Sequence, residues 1–442
     1  MKNRMFIGLV ALLSACGGDA GDPSAPLPAT QLALAAVTSI DEGDPSLMAP
    51  PEDDALADPG EETGNGFVSD SDYVLAGYTA EGTTGDAPAL AQAGKAPVRL
   101  YVSPNGSDNN AGSADKPFRS IARAIRAVTA GTTVYVAPGT YAGGFRNGTS
   151  GSAKARIAFI STRKWGARIV PPKNSPNKTA WDNRGSYVDI IGFEVDGSAH
   201  AGGTRWTYGI YNGGSHDSIR NNHVHHIAQG NVCNRGGGAA IGIDSYYGGE
   251  QSDVIANLVH DIGPAGCRYV QGIYVSTSGR IKNNVIYRVA EGGIHLWHDA
   301  RDVIITNNTV TGSNTGIIVG GGNYYRTSGP NDRTAVYSNI VYDNRMGISE
   351  QGRTGKNNTY RNNLVFQNAS YNWQLKNGLR HEDTVASAPQ FVAHARSGPL
   401  DLRLSSGSPA IGRGTAAHAE DTDFAGRPRN GSAGYDIGAY QH

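Results

Sequence analysis

Six copies of one short phrase, a glycine followed by isoleucine and a variable residue, decide the fold of this chain. They read Gly209-Ile210-Tyr211, Gly242-Ile243-Asp244, Gly272-Ile273-Tyr274, Gly293-Ile294-His295, Gly316-Ile317-Ile318 and Gly347-Ile348-Ser349. The steps from one glycine to the next are 33, 30, 21, 23 and 31 residues. A unit of this length that repeats with variable insertions is typical of a solenoid.

A second phrase, built on asparagine, lies between these copies. It occurs at Ile219-Arg220-Asn221-Asn222, Ile255-Ala256-Asn257, Ile281-Lys282-Asn283-Asn284, Ile305-Thr306-Asn307-Asn308, Tyr337-Ser338-Asn339 and Tyr360-Arg361-Asn362-Asn363. Both phrases are short and β-branched, and polar turn residues bound them, which indicates strands joined by bends. Asparagine suits such a bend because it tolerates a left-handed backbone, and stacked asparagine side chains can pair along the axis.

These features predict an all-β chain that folds as a right-handed parallel β-helix. An isoleucine that points inward at the same place in every coil stacks on its counterparts and builds a continuous core. A β-propeller is the alternative, but steps of 21 to 23 residues are too short for four-stranded blades.

The N-terminus reads as a targeting segment. Lys2 and Arg4 precede the apolar run 5–13, which is too short to span a bilayer as a helix and ends in small residues before Cys16. Residues 13–16, Leu-Ser-Ala-Cys, resemble the bacterial lipobox, in which the cysteine becomes the lipidated N-terminus. This predicts an outer membrane lipoprotein, facing the periplasm or the cell surface. An ordinary signal peptide that contains a cysteine is the alternative.

Charge is distributed unevenly along the chain. Residues 17–95 hold 15 acidic residues and one basic residue, with few aromatics and no readable period, and are predicted to be a disordered tether. Residues 96–442 hold 35 lysines and arginines against 24 acidic residues, a net charge of about +11. Because the chain carries an export signal and none of the nucleic-acid motifs, an anionic polysaccharide is the expected partner. A merely solvated basic face is the alternative.

The start of the folded domain carries a recognisable pattern. It includes residues 101–108, YVSPNGSD, and residues 134–141, VYVAPGTY, with a short amphipathic helix between them at 120–130. This helix is expected to cap the open end of the solenoid. These residues resemble the entry segment of secreted bacterial parallel β-helix proteins of the family 9 polysaccharide lyase (pectate lyase-like) type. Residues 401–442 resemble the segment that closes many such β-helices, which leaves 96–400 for the β-helix itself.

The resemblance implies a calcium ion held by clustered aspartates and a lysine that acts as the base. The acidic residues in the corresponding early strands do not form a paired cluster. They are Asp189, Glu194, Asp196 and Asp217. Calcium requires several oxygen ligands that converge from adjacent loops. Ca²⁺ is therefore implied by the resemblance alone, and no metal ligand is predicted from the residues.

Strand alternation suggests a different site. If the phrase isoleucines point inward, Asp244, Tyr274 and His295 point outward on three successive rungs, roughly 4.8 Å apart. Tyr246 and Trp297 lie on the same face, and Gln351, Gln374 and Lys376 extend it. Aromatic rings stack on sugars, and histidine or tyrosine can transfer a proton near neutral pH.

This strip fits β-elimination on a uronic-acid polymer. We expect His295 to act as the base, Tyr274 as the acid or its partner, and Asp244 as the orienting group. Arg268 and Arg288 are expected to neutralise the sugar carboxylate. The alternatives are a glycoside hydrolase that uses a carboxylate pair, or a non-catalytic binding protein of the cell-surface matrix. The carboxylates available for hydrolysis are Asp244, Glu250, Glu291, Asp299 and Glu350.

Two further patterns concern histidines and cysteines. His223, His225 and His226 look like a metal cluster, but alternation places His225 and His226 on opposite faces, so no metal site is predicted there. With Cys16 lipidated, Cys233 and Cys267 remain for a disulfide in an oxidising compartment, or as two free buried thiols. The chain is expected to be a monomer that meets the membrane only through its lipid, since no other segment is long and apolar enough to cross one.

Overall fold

The computed structural model describes residues 98–230, 237–429 and 434–442. Three parallel sheets run through these residues, and the chain visits them in turn, once per coil. This arrangement is the predicted right-handed parallel β-helix, and it matches the pectate lyase-like solenoid expected from the sequence. Among the described residues there is no helix long and apolar enough to cross a membrane.

The first sheet has eleven strands, and the second and third have nine each. The first sheet contains β1 (Val98–Val102), β2 (Thr132–Val136), β5 (Ile157–Ser161), β8 (Val188–Ile191), β11 (Ser218–Arg220), β14 (Ser252–Ile255), β17 (Gly279–Lys282), β20 (Val303–Thr306), β23 (Ala335–Tyr337), β26 (Thr359–Arg361) and β29 (His381–Glu382). The second contains β3 (Gly139–Ala142), β6 (Ala167–Val170), β9 (Glu194–Asp196), β12 (His223–His225), β15 (Leu258–Ile262), β18 (Val285–Val289), β21 (Thr309–Thr311), β24 (Ile340–Tyr342) and β27 (Leu364–Phe366).

The third sheet carries most copies of the glycine-isoleucine phrase. Its strands are β4 (Phe145–Asn147), β7 (Thr179–Asn183), β10 (Tyr208–Asn212), β13 (Gly238–Ile243), β16 (Val270–Val275), β19 (Gly292–Leu296), β22 (Thr315–Gly321), β25 (Met346–Gly352) and β28 (Tyr371–Gln374). After the last coil, β30 (Phe391–Ala393) and β31 (Asp401–Leu404) form a small antiparallel pair. A single 3₁₀ turn at Gly197–Ala199 follows β9.

The core of the solenoid is a stack of isoleucines on the inner face of the third sheet. The residues in register are Ile210, Ile241, Ile273, Ile294, Ile317 and Ile348, all fully buried. The sequence predicted Ile243 for the second place in this stack, and that prediction is wrong. Ile243 lies one inward position further along, opposite Val275. Both isoleucines of the run Ile241-Gly242-Ile243 point inward, so alternation by itself does not distinguish the two registers.

The bend between the first and second sheets is held by a ladder of asparagines. Each side-chain amide donates to the side-chain oxygen of the asparagine in the next coil, at 2.9 to 3.1 Å. The members are Asn222, Asn257, Asn284, Asn308, Asn339 and Asn363, all fully buried. The same oxygens also accept a backbone N–H, so the polar groups of the bend are paired inside the core.

One short α-helix, α1 (Ile121–Ile125), packs against β1 and β4 at the first coil. It buries Ile121, Ala124 and Ile125, the face that the sequence predicted. Ser120 caps its N-terminus by accepting the Arg123 N–H. The helix is a single turn, shorter than the predicted 120–130, because the chain leaves it at Arg126 to reach β2.

Candidate functional site

Tyr274 and His295 are the central pair of the outer face of the third sheet. They occupy matching positions of β16 and β19, as the sequence predicted. Their ring centroids are 5.6 Å apart, with the ring planes at 86°. Both side chains point away from the isoleucine stack, because the residues on either side of them are the inward ones.

Several polar atoms of this face are buried without a hydrogen-bond partner among the described residues. They are the hydroxyls of Tyr208 and Tyr274, the side-chain amide nitrogen of Gln271 and both ring nitrogens of His295. A buried polar atom that lacks a partner costs about 1–3 kcal/mol, so such groups are rare in folded proteins. Four side chains with such atoms on one sheet face are what a site for a polar ligand requires.

Asp244 does not lie on the same row as Tyr274 and His295, so the predicted three-residue column is wrong at this point. The residue opposite Tyr274 in β13 is Gly242. Asp244 lies two residues further on, where its Oδ1 accepts hydrogen bonds from Ser276 Oγ at 2.5 Å and Tyr246 N at 2.9 Å. Asp244 is displaced from the row because Ile241, and not Ile243, lies opposite Ile273. Asp244 remains next to the site, and burial raises its pKa.

His298 and Tyr325 also contribute to the site, and neither belongs to a repeated phrase of the sequence. The Tyr325 hydroxyl lies 2.6 Å from His298 Nε2, while His298 Nδ1 lies 2.7 Å from the Asn323 carbonyl oxygen. A neutral imidazole that donates from Nδ1 therefore accepts from Tyr325 at Nε2. The His298 ring is 6.1 Å from that of Tyr274. Both residues belong to loops that follow the strands, outside the periodic pattern.

Aromatic side chains surround the pair. Tyr208, Tyr211, Tyr274 and Trp297 form one buried cluster with Ala239 on this face. The Trp297 ring lies 5.7 Å from that of His295. Tyr246 is 46% exposed and lies at the edge of the cluster, 5.3 Å from Tyr325. The predicted aromatic strip is therefore present, with Trp297 inside it and Tyr246 at its solvent edge.

The two predicted arginines lie in different places. Arg268 is exposed and precedes Tyr269, which packs against the aromatic cluster. Arg288 lies within β18 on the second sheet and binds Asp261 through Nε at 2.6 Å and Nη2 at 3.0 Å. The prediction that Arg288 borders the site is wrong, because the chain turns at Arg288 with a φ of 54°, before it reaches the third sheet.

Gln351 and Lys376 lie at the far end of the same face. Gln351 is opposite Gly320 in the third sheet and donates to Ser349 Oγ at 3.0 Å. Gln374 pairs with Ser349, on the row that contains Tyr274 and His295. Lys376 Nζ donates to the Gly352 carbonyl oxygen at 2.6 Å.

Burial sets the protonation states of the central pair. Loss of solvent lowers the pKa of His295 to about 3, so its imidazole is neutral at physiological pH. The same effect raises the pKa of Tyr274 well above its usual range, with Tyr325 and Asp244 adding to the shift. A neutral imidazole can accept a proton and an un-ionised phenol can donate one.

Two of the five carboxylates predicted for a hydrolase, Asp299 and Glu350, are engaged in the fold. Asp299 accepts hydrogen bonds from Ser245 Oγ, from Thr327 Oγ1 and from the backbone N–H groups of Arg326 and Thr327. Glu350 is buried and accepts from the Tyr360 hydroxyl at 2.8 Å, among other donors. Two carboxylates held in this way have few lone pairs left for acid–base work.

The acidic residues do not fit the calcium site that the resemblance implies. Asp189, on the first sheet, forms a bidentate pair with Arg156 at 2.6 and 2.8 Å. Asp217 is buried and accepts from the Val188 N–H at 2.7 Å, and burial raises its pKa to about 8. Glu194 and Asp196 lie on the second sheet. These oxygens do not converge on one point, so no step is assigned to calcium.

A cavity of about 1650 Å³ lies elsewhere, along the first sheet and the C-terminal segment. Its lining includes Arg156, Asp189, Asp253 and Arg280, which are joined in Arg–Asp pairs. Neither Tyr274 nor His295 lines it. We assign the chemistry to the third sheet because the polar groups without partners gather there.

Cys267 is in a disulfide bond. Its predicted partner Cys233 lies outside the described residues, as does the proposed lipidation site Cys16. Cys267 itself is fully buried, directly before Arg268. The disulfide therefore holds the loop that carries Arg268.

The chain has measurable similarity to known proteins. A family model described as a protein of unknown function (DUF1565) matches residues 104–146. Over 42 residues the chain is 60% identical to the Uncharacterized protein YwoF of Bacillus subtilis (strain 168), an alignment that covers 10% of this chain and only 9% of that protein. It is 24% identical over 310 residues to Pectate lyase L of Dickeya dadantii (strain 3937), which covers 64% of this chain and 68% of that protein.

Solved structures include a similar one. The crystal structure of pectate lyase Pel9A aligns with a TM-score of 0.48 and 17% sequence identity, covering 79% of this chain and 98% of that chain. The long alignment with Pectate lyase L and the DUF1565 match agree with the resemblance seen in the entry segment. The chain is thus similar to pectate lyase-like parallel β-helix proteins, as its sequence predicted.

Proposed function

We propose that this protein is an exported polysaccharide lyase that cleaves a uronic-acid-containing polysaccharide by β-elimination. One observation carries the proposal. Tyr274 and His295 lie side by side on the outer face of the third sheet, and their hydroxyl and both ring nitrogens are buried with no hydrogen-bond partner in the described part of the chain. The relative Pectate lyase L is named as a lyase, and the chemistry of this pair suits the same reaction class.

The reaction needs one base and one acid. The neutral His295 imidazole takes the proton from the carbon that bears the sugar carboxylate. The electron pair of that C–H bond forms a double bond to the neighbouring carbon, whose bond to the glycosidic oxygen breaks. Tyr274 gives its proton to the departing oxygen, so that charge does not accumulate on it. Proton transfer back from His295 to Tyr274, through water, restores both groups.

The sugar carboxylate must be neutralised while the neighbouring proton is removed. Arg268 is exposed beside the aromatic cluster and pairs with no described carboxylate, so it is available to bind the sugar carboxylate. Tyr246, which is 46% exposed, offers a ring face to the sugars, with Gln351 and Lys376 further along the strip. The predicted substrate contact Trp297 is buried and instead packs beside His295. Asp244 orients the loop of Tyr246 through the hydrogen bond that it accepts from that residue.

The test is a turnover assay with the purified protein and a panel of anionic polysaccharides, run with and without chelator. The unsaturated product absorbs in the ultraviolet, and a rise that persists in chelator is the expected result. Tyr274→Phe and His295→Gln should abolish it, whereas the matched substitutions Tyr337→Phe and His381→Gln, on the first sheet, should not. New reducing ends without absorbance would identify a hydrolase, and binding without turnover across the panel would identify a binding protein. Either result would overturn the proposal.

The same proposal places the protein in the outer membrane through a lipid on Cys16, as a monomer. Metabolic labelling with a radioactive fatty acid should mark the wild-type chain and leave Cys16→Ser unlabelled. Labelling that is unchanged in Cys16→Ser would contradict lipid attachment at this residue.

A further inference from the structure

Four histidines gather on the outer face of the second sheet, away from the central pair. His223 and His225 belong to β12, His226 follows it, and His260 lies opposite His225 in β15. His223 Nε2 and His260 Nε2 are 2.7 Å apart, and the rings of His225 and His260 are parallel at 5.1 Å. The sequence predicted no metal site here because alternation separates His225 from His226. That reasoning fails, since His226 has a φ of 55° and its Nδ1 returns to 2.7 Å from His225 Nδ1.

Carboxylates from the preceding coil complete the cluster. In the register of β9 and β12, Glu194 lies opposite His223 and Asp196 lies opposite His225. Glu194 Oε1 lies 3.1 Å from His225 Nε2. Glu194, His223 and His225 offer donor atoms that all lie within 4.8 Å of one another, and so do Asp196, His225 and His226.

The surrounding hydrogen bonds fix which ring nitrogens can act as ligands. His260 Nδ1 lies 2.6 Å from Asp261 Oδ2, and Arg288 holds the same carboxylate. Asp261 is therefore ionised, so Nδ1 of His260 carries the proton and Nε2 presents a lone pair towards His223. A carboxylate behind a ligating histidine is the usual outer shell of a metal site. His225 Nδ1 lies 2.7 Å from His226 Nδ1, which leaves Nε2 of His225 facing Glu194 Oε1 at 3.1 Å.

The donor spacing suits a small tetrahedral ion. With metal–nitrogen distances of about 2.0–2.1 Å, tetrahedral ligands lie about 3.3 Å apart. The donor atoms of Glu194, His223 and His225 all lie within 4.8 Å of one another, and the His225–Glu194 pair is at 3.1 Å. His260 lies outside that group but 2.7 Å from His223, so that pair must open by about 0.6 Å while His260 moves towards the other two ligands. Imidazole with one carboxylate suits zinc and similar transition metals, whereas calcium and magnesium take oxygen ligands.

We propose that Glu194, His223, His225 and His260 bind one divalent transition metal ion of the zinc class. The ligands come from β9, β12 and β15, so the ion links three consecutive coils. Trp165 packs against the ring of His223 at 4.9 Å, and Tyr287 stacks on that of His260 at 4.7 Å. Four protein ligands beneath aromatic covers make a closed, structural site. This inference is independent of the proposed function.

The test is metal binding by the purified full chain, prepared without a polyhistidine tag and stripped with chelator. Calorimetric titration with Zn²⁺ should give one equivalent, and Co²⁺ should give the intense visible bands of tetrahedral coordination. His223→Asn and His260→Asn should each weaken Zn²⁺ binding by at least about 10-fold, and so should Asp261→Asn, which removes only the outer-shell carboxylate. The matched variants His216→Asn and His381→Asn, on the first sheet, should bind as the wild type does.

Other results would overturn the proposal. The absence of saturable Zn²⁺ binding by the wild type, or a Co²⁺ spectrum of the weak octahedral type, would exclude the site without reference to any variant. Full affinity in His260→Asn, together with a loss in His226→Asn, would overturn the ligand set. Circular dichroism of each variant separates loss of binding from loss of fold.

Discussion

The Tyr274 and His295 rings meet edge to face, 5.6 Å apart, from equivalent positions of two adjacent strands. Neither side chain has a hydrogen-bond partner among the described residues, although the tyrosine hydroxyl and both imidazole nitrogens are buried. The spacing of parallel strands fixes this distance, so the proposed acid and base are aligned before a substrate arrives.

Replacing Tyr274 by phenylalanine is expected to lower kcat by about 100-fold or more, because general acid catalysis contributes about 10²–10⁴-fold. KM should change little, since the ring that contacts the neighbouring side chains remains. Steady-state kinetics on the best polysaccharide of the panel measures both constants. A fall in kcat of less than threefold would contradict the assignment, and Tyr337→Phe serves as the matched control.

The reaction rate should show no titration near about pH 6.5, the usual pKa of a histidine side chain. Burial lowers the pKa of His295 to about 3, so the imidazole stays in its basic form as the pH falls through about 6.5. The group loses activity only when it gains a proton. A plot of log kcat/KM against pH should therefore stay level across the neutral range and fall only in strong acid. A downward bend near about pH 6.5 would indicate a different base.

The exposed aromatic edge should matter for binding more than for chemistry. Tyr246 is 46% exposed, so its removal costs a sugar-stacking surface without disturbing the buried pair. We expect Tyr246→Ala to raise KM by about 3- to 10-fold, since an aromatic contact contributes about 0.5–1.5 kcal/mol, and to leave kcat unchanged. Val392→Ala, at an exposed residue of β30, is the control. An equal loss in kcat would place Tyr246 in the reaction itself.

Sequence reasoning reached the fold and the central pair because both follow from the repeat. The isoleucine stack fixes which side of each strand faces outward, and it is this that placed Tyr274 and His295 together. The prediction for Asp244 is wrong because Ile241 and Ile243 both point inward, and strand alternation allows either of them to lie opposite Ile273. Arg288, His226 and His298 depend on left-handed backbone turns that alternation does not describe. Tyr325 reaches the site from a loop without a period.

Asp217 should make the fold less stable as the pH rises. Burial raises its folded pKa to about 8, above the value of about 3.9 in the unfolded chain. The unfolded state therefore releases the proton first, and stability falls between about pH 4 and pH 8 and then levels off. Asp217→Asn cannot ionise and should remove part of this slope, worth about 1 kcal/mol or more across that range. Urea denaturation at several pH values measures it, and an unchanged slope would exclude Asp217 as its source.

Breaking the asparagine ladder in mid-course should destabilise the protein. Asn308→Ala removes the amide that joins Asn284 to Asn339 and leaves buried backbone groups without partners. The expected loss in the free energy of unfolding is about 1–3 kcal/mol. Asn377→Ala, at an exposed asparagine beyond the ladder, should change it much less. Equal effects of the two substitutions would show that the ladder adds no stability of its own.

The ladder also bears on how such a chain can change over generations. Each amide depends only on the coil before and the coil after it, so the duplication or loss of a whole coil preserves every link. Shorter runs of the same kind join a few coils at another corner, where Asn147, Asn183 and Asn212 follow the third sheet. A lineage can therefore exchange the outward side chains of the third sheet while it inherits an unaltered asparagine ladder.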